Sequence, residues 1–77
     1  MTPYKQGEAG KRAAREIRRT ADEIGTHLKD ELEHLGVSRC VLWNWDHGKV
    51  DPSVQLLCVL AECGYDIVYI VTGVRGR

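Results

Sequence analysis

Arg39, Cys40, Trp43, Asn44 and His47 fall at i, i+1, i+4, i+5 and i+8, the spacing of one face of an α-helix. A guanidinium and a carboxamide on one narrow ridge offer hydrogen bonds to base edges. Arg39, in the first turn, presents two donors that match O6 and N7 of guanine, and Asn44, one turn on, matches adenine or a phosphate oxygen. Cys40 is small enough to meet a thymine methyl, or else lies half-buried. Trp43 is the unusual member. Its indole either packs on thymine methyls or sugar, or covers the edge of the core or the start of the chain. The chemistry of this ridge is recognition without covalent change. No motif brings a nucleophile, a base and an orienting group together, so an enzyme is not expected. His27, His34 and His47 are not spaced with the cysteines as a zinc site requires, and neither metal nor cofactor is expected. Glu31 and Glu33 read as solvent-facing rather than as acid–base groups.

The elements that must hold this ridge can be traced along the chain. Ser38 is a capping residue, and Gly48 with Asp51-Pro52 ends the segment, so Ser38 to His47 reads as a short helix. Its other stripe, Val41, Leu42 and Trp45, faces a core. Upstream, Ala14, Ile17, Ala21 and Ile24 recur at intervals of 3, 4 and 3 within Glu8 to Ile24, which predicts an amphipathic helix with a thin apolar stripe. Gly25-Thr26 reads as a stop followed by a cap. Leu28, Leu32 and Leu35 define a second helix, ended by Gly36. Ser53 caps a fourth with core positions Leu56, Leu57, Leu60 and Ala61, and Gly64 stops it. Asp66 caps a last helix, Ile67 to Thr72, ended by Gly73. Two rival organisations exist. Glu8 to Leu35 nearly keeps a coiled-coil heptad, although Glu31 breaks it and Gly25 weakens it. Ile67 to Val71 has β-propensity, although the chain offers no partner strand.

Composition narrows the function classes. A chain of 77 residues makes one domain with one modest core, too small for a catalytic domain with its own cleft. Hydrophobic and charged fractions of 43% and 29% are ordinary for a globular protein. No apolar run spans a bilayer and the start is polar, without a signal-peptide core, so the cytoplasm is the expected location and no membrane partner is expected. Three cysteines form no closed disulfide set and are expected as reduced, partly buried thiols. The formal net charge is zero, which counts mildly against a nucleic-acid partner, but its distribution is uneven. Lys5, Lys11, Arg12, Arg15, Arg18 and Arg19 load the start, and Asp22, Glu23, Asp30, Glu31 and Glu33 follow. Lys11, Arg12, Arg15, Arg18 and Arg19 either clamp a phosphate backbone or form a solvated helix face.

Leu35-Gly36-Val37-Ser38, then Trp45-Asp46-His47-Gly48-Lys49 and Pro52, resemble the turn and recognition helix of Cro- and repressor-type helix-turn-helix proteins, the xenobiotic-response-element family. Leu56-Leu57, Leu60-Ala61-Glu62 and the Gly64 to Gly73 run resemble that family's last two helices. The likeness runs from about Ile17 to Gly73. It implies an all-α, lambda-repressor-like bundle of five helices. Residues 1–7 would be a mobile arm, 8–73 the domain and 74–77 a tail. It further implies a transcription regulator, a small repressor of phage or bacterial type, that binds a palindromic site in double-stranded DNA as a homodimer. Base readout falls to Arg39, Cys40, Trp43 and Asn44. Backbone contacts fall to Thr26, His27, Ser38, His47 and Lys49, the first two because a helix N-terminus attracts anions. Ile67, Val68 and Val71 are the expected dimer contacts, because five consecutive apolar residues on a helix exceed what one small core covers. With no room for an effector domain, regulation would follow the protein's own concentration. The chain departs from the pattern at Glu31 and Leu32, where the family has Leu-Ala, so the second helix must be rotated or displaced. It departs also at Ala21, in place of an arginine that pairs with the acid after the tryptophan. Asp46 must find another partner, and Arg18 is the candidate. The rival function is a protein-binding helical module, or an antitoxin-type autoregulator that combines both roles.

Overall fold

The computed structural model describes residues 5–75, and these fold into five helices and no strand. They are α1 (Glu8–Ile24), α2 (Leu28–Leu35), α3 (Arg39–Asp46), α4 (Val54–Glu62) and α5 (Ile67–Thr72). The all-α expectation holds, and neither the continuous coiled coil nor the terminal strand forms. Each break has a local cause. Gly36 ends α2 at a φ of 74°, a left-handed conformation that costs other residues about 1 kcal/mol or more. Ser38 follows in extended backbone, and its Oγ accepts the Val41 N–H at 3.1 Å. Ser53 and Asp66 cap α4 and α5 in the same way, accepting from the N–H groups of Leu56 and Tyr69. Thr26 does not cap α2. The residue at that position is His27, and no side chain accepts a hydrogen bond there.

Helix α1 is the axis of the core. It packs against α3, α5 and α2, while α4 reaches the core chiefly through α5. Ala13, Ala14, Ile17 and Ala21 of α1 are buried with Leu32, Leu35, Val37, Leu42, Trp45, Leu60 and Ile70. Small residues along α1 are what let its neighbours approach closely. Gly10 is the extreme case, since a β-carbon there would lie 2.3 Å from the Val50 carbonyl oxygen and 3.3 Å from Trp45 Cα. Two core assignments made from spacing fail at helix ends and edges. Ile24 is 63% exposed because the last turn of α1 runs beyond Ala21, its final buried residue. Ala61 is exposed, whereas Leu56 and Leu57 pack half-buried against the core beside the fully buried Leu60. The cysteines are free but exposed rather than partly buried: Cys40 on the outer side of α3, Cys58 on α4 and Cys63 at the end of α4.

Two carboxylates lie inside. Glu31, expected at the surface, is buried because it shares the inward face of α2 with Leu28 and Leu35, at spacings of 3 and 4. The Tyr65 hydroxyl donates to its Oε2 at 2.7 Å, while Glu33 stays exposed. Burial, reinforced by that bond to Glu31, pushes the Tyr65 phenol above its ordinary range. Glu16 is 3% exposed and receives Arg19 Nη2 at 2.8 Å and Arg75 Nη1 at 3.0 Å. The hydrogen bond from Arg19, with Arg75 adding to it, outweighs desolvation and holds the Glu16 carboxyl below its usual value. Arg75 also lies over the Tyr69 ring, 3.8 Å from its centroid, so the start of the expected tail is folded onto the domain.

The other end is anchored as well. Residues 1–4 of the expected arm, and 76–77 of the tail, lie outside the described residues. Gly7 is buried, and its N–H and that of Gly10 donate to Asp51 Oδ1 at 2.9 and 3.2 Å. A carboxylate from the loop after α3 thus sits at the positive start of α1.

Candidate nucleic-acid interface

Helix α3 divides as its periodicity requires. Leu42 and Trp45 are 5% and 1% exposed and face α1, with Val41 half-buried beside them. Arg39, Cys40, Trp43 and His47 are exposed on the opposite face, and Asn44 is half-buried at its margin. All five expected ridge residues are therefore brought together on one side of α3. The ridge has internal order. The Trp43 and His47 rings stack with centroids 3.9 Å apart and planes 21° from parallel. His47 Nδ1 lies 2.8 Å from the Trp43 carbonyl oxygen, so the tautomer protonated at Nδ1 is favoured and Nε2 is left as an acceptor. Trp43 therefore does not cover the core; it forms an aromatic plate with half its surface open. Asn44 Nδ2 points to Cys40 Sγ at 3.8 Å, a weak contact that a better acceptor displaces easily.

The basic run of α1 separates into two sets with different work. Arg12 donates from Nε to the Ile70 carbonyl at 2.9 Å and from Nη2 to that of Val71 at 3.1 Å, closing the end of α5. Arg19 is spent on Glu16 and Glu23. Lys11, Arg15 and Arg18 instead line an open concavity between α1 and the end of α3, with Asp46 as the fourth wall. Arg18 grips Asp46 by two bonds, Nη1 to Oδ1 and Nη2 to Oδ2, each 2.8 Å, which is the substitute pairing the sequence called for. The side chains of Arg15, Arg39 and Lys49 have no hydrogen-bond or ion-pair partner among the described residues. Sequence reasoning treated the five α1 cations as one set. The signal that separates them is register, because 11, 15 and 18 share a face at spacings of 4 and 3 while 12 and 19 lie a quarter-turn away.

The remaining site residues are less concentrated. Thr26, half-buried, and His27, exposed, stand at the start of α2, and Ser38 spends its hydroxyl on capping α3. On α5, Val68 and Val71 are 54% and 40% exposed, while Ile67 is half-buried against the core. Among the described residues no helix is long and apolar enough to cross a membrane. Compared with known protein families, with curated proteins and with solved structures, the chain matches none of them.

Proposed function

We propose that this chain is a sequence-specific double-stranded-DNA-binding transcriptional regulator of the cytoplasm, acting as a helix-turn-helix repressor. On this reading α2 and α3 are the two helices of the motif, and α3 enters the major groove. The observation that carries it is the outward face of α3, where Arg39 projects from the first turn with no partner of its own, beside Cys40, Trp43 and Asn44. A guanidinium kept free at a helix start is placed to donate to guanine O6 and N7. The resemblance of residues 35–52 to the Cro and repressor type supports the same reading. Lys49 and His47 at the end of α3, with Thr26 and His27 at the start of α2, are the proposed backbone contacts. A single short helix buries too little to be selective, so the active form is a homodimer on a palindromic operator, paired through Val68 and Val71 of α5.

A second reading rests on the apolar surface: Trp43, Val54, Val68, Val71 and Val74 are all at least 40% exposed. Such residues also suit a protein-binding module or an antitoxin that binds both DNA and a partner. Selection of duplexes from a random pool, followed by titration at several salt concentrations, separates the two. DNA binding weakens steeply with salt, whereas an apolar protein contact does not. Arg39→Ala is expected to cost about 1–3 kcal/mol on the selected site and to relax preference at one base pair per half-site. Lys49→Ala weakens binding to every sequence alike. A parent protein that enriches no duplex and shows no salt-dependent binding rules the proposal out.

A further inference from the structure

We propose that Lys11, Arg15 and Arg18 form a second binding site, one that takes a phosphate oxyanion, and that its ligand is the phosphodiester backbone of the duplex read by α3. The proposal rests on the DNA-binding reading. Four side chains line the concavity, and only Asp46 is anionic, so two positive charges remain in excess. Asp46 does not repel an incoming anion as a bare carboxylate would, because both its oxygens are engaged by Arg18. That bidentate grip also fixes the guanidinium plane. Arg15 is free of partners, and Lys11 meets only the exposed Glu8, at 3.8 Å. The two arginines drawn into the fold, Arg12 and Arg19, point elsewhere, so these three cations are the ones α1 leaves available beside α3.

Placement gives the site its ligand. Asp46 is seven residues after Arg39, within about 20° of two full turns, so the concavity lies on the same flank of α3 as Arg39. The separation along the helix is about 10 Å, the rise of about three phosphates on one strand of B-DNA. Arg39 and the concavity thus form one line of positive charge beside the aromatic plate. The N–H donors that Arg18 does not give to Asp46, and the free guanidinium of Arg15, are charged donors of the kind that phosphate oxygens accept.

The test uses the full chain. Arg15→Ala removes a side chain with no partner, so folding is expected to be unchanged by circular dichroism. Against duplexes of several sequences it is expected to weaken binding uniformly and to lower the slope of log K against log salt by about 0.9, one phosphate contact. The parent's advantage then shrinks about threefold between about 50 and about 200 mM salt. In parallel, inorganic phosphate is titrated at constant ionic strength while the arginine side-chain N–H resonances are followed. Those of Arg15 and Arg18 are expected to shift saturably and that of Arg39 to stay still. If the parent binds duplex and Arg39→Ala weakens it, yet Arg15→Ala changes neither affinity nor slope, the site is overturned and the groove reading stands. If phosphate saturates Arg15 but no duplex binds, the backbone assignment is overturned together with the DNA-binding reading.

Discussion

Gly10→Ala should destabilise the protein, although helix propensity alone says the opposite. Gly10 lies within α1, where replacing glycine by alanine gains up to about 1 kcal/mol. Against that gain stands a β-carbon placed 2.3 Å from the Val50 carbonyl oxygen, when an ordinary carbon–oxygen contact is about 3.3 Å or more. The obstacle is backbone, so no rotamer change relieves it, and Trp45 Cα and Cδ1, both at 3.3 Å, block retreat on the other side. Overpacking of this kind costs about 1–3 kcal/mol. Any shift of Val50 also drags Asp51, whose carboxylate holds the N–H groups of Gly7 and Gly10, and charged hydrogen bonds of that type are worth about 1.5–3 kcal/mol. Overpacking less the helix gain leaves about 0–2 kcal/mol, and loss of the Asp51 bonds would bring the net loss to about 1.5–5 kcal/mol. For a domain of this size that lowers Tm by about 4 °C or more. Thermal unfolding followed by circular dichroism measures it. A variant with an unchanged or higher Tm would mean that the Val50–Asp51 loop yields freely and that Gly10 does not set the crossing of α1 and α3.

Three further outcomes follow from the same structure. Trp45→Ala empties the largest fully buried side chain and should cost about 3–5 kcal/mol, much of the stability of so small a domain, whereas Trp43→Ala removes an exposed stacked ring and should leave the melt nearly unchanged; the reverse order would put α3 on its wrong face. Glu16 has its carboxyl held below the usual value in the fold, so its contribution is present above the unfolded pKa near 4.5 and is lost as pH falls through the folded value. Glu16→Gln should therefore be less stable than the parent at neutral pH and flatten the loss of stability below about pH 4.5; parallel pH curves for the two proteins would contradict it. If the chain pairs through α5 and binds an operator as proposed, Val68→Glu, at a position 54% exposed, should keep its helical signal and sediment as a monomer with that affinity lost. A dimeric variant would move pairing away from α5.

The five helices were readable because their ends are written locally: a glycine able to take a left-handed turn, or a serine or aspartate that caps the next segment. The inward and outward faces of α3 were readable for a similar reason, since an eight-residue helix permits only one register of Leu42 and Trp45 toward a core. Arg18 as the partner of Asp46 was reachable only through the family resemblance, which implies an arginine partner for that acid where this chain has Ala21. What sequence did not disclose depends on residues far apart along the chain. Glu16 is an ordinary solvent-facing glutamate until Arg75, 59 positions away, folds over it, and Arg12 is one charge in a run until the carbonyls of Ile70 and Val71 arrive. Gly7 resembled part of a loose arm because nothing nearby predicts that Asp51 will seize its N–H. Glu31 was misplaced for a different reason. Its type outweighed its position on the α2 stripe, and only Tyr65, 34 residues on, makes burial tolerable.

The first helix completes itself only with the last. Ile70 and Arg75 must reach α1 before Arg12 finds its carbonyls and Glu16 its second arginine, and those contacts span 58 and 59 residues. During synthesis the chain is made from the other end, so α1 emerges early and waits. Until α5 is made, the buried stripe of α1 has only α2 and α3 to cover it, and Arg12 has no carbonyls to close on. The core therefore closes only when the last helix arrives, because that contact joins residues nearly sixty positions apart. A message truncated before the codon for Ile70 should yield a chain whose core stays open on the α5 side of α1 and is exposed to proteolysis.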